Sequence, residues 1–409
     1  MPTVVAFAYK GRNASGKVVK GRLDAASESA AMTRVRTMGL APISVTEVPV
    51  GTGLSREIRI PGLTKQVGLK DLAVMSRQMA TMTSAGLSLL RTLNILSEQT
   101  ENKELAKILT TVRNDVESGV SLSEAMGKHL KVFPPIMINL IRAGETGGFL
   151  ENSLNSVAEN FESEGKLKDT IKSAMAYPTI VLIMAVLAVI GMLTFIVPVF
   201  ENMFADFGGQ LPLPTQILVT LSAVMTWLLP VLVVAGIAFS IWWRSNKNTE
   251  RVRKVLDPIK LKVPVFGPLM TKLAIARFSR NFSTMIGAGV PILQSLIIVG
   301  ETSGNWVVEV ALRKVHESVR QGMSIAGPLS LEPVFPPMVV QMIAVGEDAG
   351  ALQTMLSKIA DFYDQEVQST AEQLTALIEP LMIAFIGVVI GGMIVALYMP
   401  MFSIFEYIK

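Results

Sequence analysis

Polar and apolar positions alternate along most of this chain, but three stretches carry no charge at all: Ser173 to Phe200, Phe207 to Trp243 and Pro380 to Phe405. Each exceeds the roughly 20 residues needed to cross a hydrocarbon layer. They predict transmembrane helices over residues 173–200, 217–243 and 379–403. The segments around them are broken by glycine and proline at intervals typical of short helices. This punctuation predicts helices over Leu69 to Ser84, Ser88 to Gln99, Asn102 to Ser118, Ser121 to His129 and Pro134 to Ala143, with a long one from Phe149. Near the N-terminus the pattern changes again. Val4 to Tyr9, Val18 to Leu23 and Ile43 to Val48 read as strands, and residues 27 to 38 as a helix ending at Gly39.

The pattern is also written twice. Phe133-Pro134-Pro135 recurs 202 residues later as Phe335-Pro336-Pro337, and Gly144, Glu145, Gly148 and Leu150 recur at the same offset as Gly346, Glu347, Gly350 and Leu352. Pro178, at the head of the first apolar run, matches Pro380, and Pro198 at its end matches Pro400. A unit made of a soluble helical bundle leading into a membrane helix has been duplicated. The expected fold is mainly α and membrane-integral, with two homologous bundles of about six helices, three transmembrane helices and a small N-terminal α+β module.

Two copies with the same surroundings must cross the membrane in the same direction, so a return span is required, and only 217–243 lacks a twin. Orientation follows from charge. Residues 201–216 hold Glu201 and Asp206 and no Lys or Arg, whereas the stretch after Trp243 holds a basic cluster that includes Arg244, Lys247, Arg251, Arg253, Lys254, Lys260 and Lys262. Basic loops stay cytoplasmic. The predicted order is an N-terminal module (1–48), a linker (49–67), a first cytoplasmic bundle (68–172), the first span (173–200), an extracytoplasmic loop (201–216), the second span (217–243), a basic linker with the second cytoplasmic bundle (244–378), the third span (379–403) and an extracytoplasmic tail (404–409). No secretory signal peptide is expected, because the apolar run at Val4 to Tyr9 is short and meets Lys10 and Arg12 at once.

Composition agrees with a membrane protein: half of the residues are hydrophobic, 17% are charged and the mean hydropathy is +0.47. The net charge of +4 is concentrated in the cluster after Trp243, which fits a lipid-facing topology signal better than a nucleic-acid patch. With no cysteine in the chain, thiolate metal sites and cysteine nucleophiles are excluded. His129 and His316 stand at non-equivalent places, so no zinc site is expected. Gly11 to Lys17 has the spacing of a phosphate-binding loop, but Val18 follows where Ser or Thr is needed and a strand follows where a helix is needed. Neither a catalytic set nor a cofactor site is predicted.

Among the repeated residues, Phe133, Pro134, Pro135, Gly144, Gly148 and Leu150, with Phe335, Pro336, Pro337, Gly346, Gly350 and Leu352, read as tight bundle corners, Gly144 taking a left-handed helix end. Glu145 and Glu347 are not needed for a turn. They either cap the next helix or meet a partner or a cation. Pro178 and Pro380 interrupt long helices just before the membrane and are expected to bend them. Gly387, Gly391 and Gly392 offer close backbone approach in lipid, within one chain or between two copies.

In this combination the residues resemble one family, the inner-membrane platform proteins of type IV pilus assembly and type II secretion, the secretion-system F family. The likeness covers nearly the whole chain. It implies a non-enzymatic scaffold of the bacterial inner membrane, multi-pass, with a cytoplasmic N-terminus and an extracytoplasmic C-terminus. Implied partners are a hexameric cytoplasmic ATPase, pilin or pseudopilin subunits, other inner-membrane assembly components and further copies of the chain, with no nucleic acid. A small-solute transporter built from a duplicated unit is the alternative; against it, the spans hold no ionisable residue to mark a pathway.

Overall fold

The computed structural model describes residues 5–12, 18–25, 27–47, 67–205, 211–247, 249–264 and 266–407. The expected turn at Asn13 to Gly16, the rest of the phosphate-loop-like stretch to Lys17, and nearly all of the linker lie outside these residues. The chain divides into two compact units, 1–66 and 67–409.

In the first unit, β1 (Val5–Arg12), β2 (Val18–Ala25) and β3 (Ala41–Glu47) form an antiparallel sheet ordered β2-β1-β3. Helix α1 (Glu28–Thr37), capped by Ser27 accepting from the Ala30 amide, lays Ala31 and Val35 against Phe7 and Val45. The alternation that puts Phe7 on one face is what gives the helix a surface to cover.

The second unit begins with α2 (Leu69–Ser84), α3 (Leu89–Gln99), α4 (Lys103–Glu117), α5 (Leu122–Gly127) and α6 (Pro135–Gly147). Then α7 (Leu150–Gly191) passes through Pro178 without interruption, continues as one π-helical turn (Met192–Ile196) and ends as α8 (Val197–Ala205). Helix α9 (Leu213–Asn246) returns. After it come α10 (Glu250–Lys262), α11 (Phe266–Gly287), α12 (Ile292–Thr302), α13 (Trp306–Arg320), α14 (Ala326–Ser330), α15 (Pro337–Asp348) and α16 (Leu352–Tyr407). Among the described residues three helices are long and apolar enough to cross a membrane, within Leu150–Phe204, Leu213–Trp243 and Leu352–Met401. The fold is mainly α with a duplicated bundle, as the sequence pattern requires.

The duplication reaches the backbone. Left-handed glycines occur in matched pairs: Gly86 and Gly289 (φ 82° and 73°), Gly119 and Gly322 (96° and 89°), Gly148 and Gly350 (76° and 65°). In both copies the Pro-Pro pair starts a helix, the first proline at the cap and the second at the first helical position, where a missing N–H costs nothing. Phe133 and Phe335 are buried beneath it, and Phe335 meets Phe278 edge-on at 5.1 Å.

The structure revises two expectations and extends a third. Helix α6 does not stop at Gly144 but runs to Gly147, and Gly148 takes the left-handed position. The stretch after α9, expected as a linker, folds into α10 despite Pro258, because Asp257 is buried and ties it to α13. Helix α16 continues to Tyr407, through the residues expected to form a tail.

One hydrophobic core runs through both bundles, from Leu72 and Phe133 to Phe278, Tyr363 and Ala371. Polar bridges add specificity between the copies. The Asn160 side-chain amide donates to Asn281 Oδ1 at 2.8 Å, Gln294 donates to Asn139 at 2.9 Å, and Arg277 pairs with Glu164 at 3.4 Å. A second, smaller core of Leu193, Val197, Leu218, Met393, Ala396 and Leu397 joins the three spans.

Candidate functional site

Glu145 lies near the C-terminal end of α6, where the helix dipole disfavours a carboxylate. The reason for its position is 23 residues upstream. Its two oxygens accept the backbone N–H groups of Leu122 (2.5 Å) and Ser123 (3.1 Å), the first residues of α5. Glu347 does the same for Ile325 (2.6 Å) and Ala326 (2.8 Å) at the start of α14. Each carboxylate therefore caps the preceding short helix, not the following long one. A small open cavity of about 450 Å³ beside Glu145 is lined by Ser121, Ser123, Glu124, Arg142 and Thr146.

Gly144 and Gly346 sit inside their helices for a packing reason. A Cβ on Gly144 would stand 2.7 Å from Ser153 Cβ and 2.9 Å from Leu150 Cα, and one on Gly346 3.1 Å from Leu352 Cα and from Met355 Cβ. They let α6 and α15 press against the first turns of α7 and α16. Gly144→Ala is expected to cost about 1–3 kcal/mol by overpacking, read as a lower unfolding temperature, with a smaller loss for Gly346→Ala, where the neighbours have more room.

Below this corner an ion pair is duplicated. Arg77 of α2 binds Glu162 of α7 with both contacts at 2.7 Å, and Arg280 of α11 binds Asp361 and Asp364 of α16, each at 2.8 Å. Burial opposes the Arg280 charge, but the hydrogen bonds it donates to Asp364 and Asp361 outweigh it and hold the guanidinium above its usual range. This pair borders a polar cleft of about 810 Å³ between α7 on one side and α11 and α16 on the other, lined also by Glu159, Lys166, Gln353 and Gln368.

At the start of the spans, Pro178 cannot donate to the carbonyl of Ala174. Thr375 Oγ1, from α16, lies 3.1 Å from that oxygen and 2.9 Å from the Ala371 carbonyl of its own helix, so its one proton is shared between the two. A similar exchange occurs at two prolines near the far ends of the spans. Within the π-turn the Val197 N–H goes to Met192, and Pro198 has no N–H to offer Leu193, so Ser222 Oγ of α9 donates to the Leu193 carbonyl at 2.5 Å. Pro400 leaves the Ala396 carbonyl without its helical donor, and Thr215 Oγ1 of α9 takes it, also at 2.5 Å. A carbonyl in lipid has no water to turn to, so prolines are tolerated in spans when a neighbouring hydroxyl replaces the bond. The unpaired helix α9 thus fastens the end of each repeat.

Elsewhere the spans are less tightly joined. Leu182, Val186, Met225, Leu229, Phe385 and Val389 line an apolar groove of about 460 Å³ between them. A Cβ on Gly387, Gly391 or Gly392 would meet no atom within 4 Å, so packing within the chain does not use that face. Among the described residues no group of three His, Cys, Asp or Glu is placed to hold a metal ion.

Sequence reasoning marked Pro198 and Pro400 only as register points and passed over Thr215, Ser222 and Thr375. The available signal was a hydroxyl residue on a helix facing a span with an internal proline. It also passed over Arg77 and Arg280, which the repeat would have aligned at an offset of 203 residues.

The family model described as "Type II secretion system (T2SS), protein F" matches twice, over residues 75–198 and 278–400, and the N-terminal domain of the same protein matches residues 1–46. The chain is 44% identical to the type IV pilus assembly protein PilC of Thermus thermophilus, covering 97% of this chain and 98% of that one. It is 42% identical to the PilC of Myxococcus xanthus (97% and 94%) and 31% identical to the type II secretion system protein F of Aeromonas hydrophila (91% and 95%).

Proposed function

The chain belongs to the type II secretion system protein F family, inner-membrane platform proteins of pilus or secretion machines, and from this premise we propose that it couples a cytoplasmic hexameric ATPase to the assembly of pilin-like subunits. In this reading it is a scaffold without catalytic activity of its own, both bundles face the cytoplasm, and the C-terminus lies outside. The basic residues after α9 support the orientation.

One observation carries the mechanism: α7 and α16 are each a single helical rod that is core of a bundle at one end and a membrane span at the other. At a rise of 1.5 Å per residue, α16 is roughly 80 Å long. A displacement of either bundle is transmitted along its rod. Thr375 ties the rods where they approach the membrane, so movement of one copy is felt by the other. Pro178 and Pro380 lie beside this tie, at points where each rod lacks one hydrogen bond and bends most easily. Glu145 and Glu347 keep the short helices α5 and α14 docked and so shape the surface offered to the ATPase.

Two measurements test the proposal. Purified full-length protein is expected to capture the assembly ATPase and to hydrolyse no ATP alone; hydrolysis without a partner would sink the scaffold reading. Pro178→Ala with Pro380→Ala restores both helical bonds and is expected to reduce filament assembly several-fold at normal protein levels. Unchanged assembly would remove the bending points from the mechanism and leave the scaffold intact.

A further inference from the structure

We infer that α10 is a membrane-surface helix that docks on anionic lipid headgroups at the bundle side of the membrane. Its two faces differ sharply. One is fixed to the protein: Asp257 is buried, accepts the Trp306 backbone N–H at 3.0 Å and pairs with Lys260 and Arg253, while Arg253 also reaches Glu309 at 2.9 Å. This fixes the rotation of the helix. The opposite face is then held outward, and it is apolar: Val255 and Ile259, with Val263 just past the helix end, recur every four residues and are 60%, 52% and 38% exposed. Arg251 and Lys262 border this ridge and are exposed, and Lys254, also exposed, reaches over the Trp306 ring at 5.9 Å. An apolar ridge bordered by cations is the form that lies in a lipid interface.

Its position agrees. Helix α10 starts four residues after α9 ends, beside the aromatic cluster of Phe239, Trp242 and Trp243 that suits a headgroup boundary. Its other end is equally close to the membrane. A Cβ on Gly267, at the start of α11, would be 2.9 Å from the Leu261 carbonyl carbon, so the end of α10 sits on the start of α11. Helix α11 runs antiparallel to α16, with Lys272 bonded to Thr370. Gly267 therefore stands level with about residue 375, roughly 8 Å short of Pro380 at 1.5 Å per residue. The helix thus begins just after the second span and ends near the start of the third. The continuity with α9 and the positive charge favour anionic lipid over a soluble partner as what covers the ridge.

The inference rests on the membrane reading above, and the test separates the two. Because the chain has no cysteine, a single spin label can be placed by Ile259→Cys on the ridge, Ile383→Cys in the third span, or Met323→Cys on an exposed bundle turn. Full-length protein is reconstituted in vesicles of phosphatidylcholine alone or mixed with phosphatidylglycerol. Relaxation by lipid-soluble oxygen is compared with relaxation by a water-soluble nickel chelate. With phosphatidylglycerol present, the label at 259 is expected to be several-fold less accessible to the chelate than the label at 323, and to lose that protection when phosphatidylglycerol is omitted or when Arg251, Lys254 and Lys262 are changed to Gln. A label at 259 as open to the chelate as the one at 323, with 383 protected, overturns the inference and points to a soluble partner. Protection indifferent to phosphatidylglycerol and to the three cations overturns the headgroup part. An unprotected label at 383 refutes the membrane reading itself.

Discussion

Full-length protein with Glu145→Ala and Glu347→Ala together is expected to unfold at markedly lower temperature and to accumulate poorly in membranes. The two substitutions strip acceptors from four backbone donors, at Leu122, Ser123, Ile325 and Ala326. Hydrogen bonds to a charged group contribute about 1.5–3 kcal/mol each, and the two carboxylates are themselves only partly buried, so a loss of about 2–3 kcal/mol per carboxylate is expected. Glu145→Gln should fall between, since one amide oxygen can still accept from one donor. Because the caps hold α5 and α14 at the bundle corners, the loss is structural first. A doubly substituted protein that melts like the parent but no longer captures the ATPase would assign these carboxylates to the partner and refute the capping role.

The same residues show what a sequence can and cannot disclose. The repeat marked Glu145 and Glu347 as important because a carboxylate is unnecessary in a turn. It could not name the groups they bind, which lie more than twenty residues upstream and come into reach only when α6 folds back on α5. Gly144 was misplaced for a related reason. In Gly144-Glu145-Thr146-Gly147-Gly148 three glycines compete for one left-handed position, and the packing of α6 on Ser153 and Leu150 decides that Gly148 takes it. Long, uncharged runs needed no such help: the three spans and the return by α9 follow from hydrophobicity and from the direction the duplication imposes. Pro258 and the dense charge mask the helical pattern of α10, and its order depends on a buried Asp257 that accepts the Trp306 N–H of α13.

Thr215→Val with Ser222→Ala is expected to loosen α9 from both repeats. Each substitution leaves a proline-freed carbonyl, at Ala396 or Leu193, with no donor in the buried junction of the three spans. Hydrogen bonds between membrane helices contribute about 0.6–2 kcal/mol each, so the pair is expected to cost about 1–4 kcal/mol, measured as the unfolding temperature in detergent and as protease sensitivity of the α8–α9 connection. The prolines supply a control that generic destabilisation cannot imitate. Pro400→Ala returns an N–H to the Ala396 carbonyl, so Thr215→Val should cost little in that background, and Pro198→Ala should likewise make Ser222 dispensable. If the hydroxyl substitutions are equally damaging with and without the prolines, the hydroxyls act by packing alone. If the rescue holds, the three spans are bound where the duplicated helices lack a bond, and the function of the unpaired helix is to supply it: Ser222 to the first copy and Thr215 to the second.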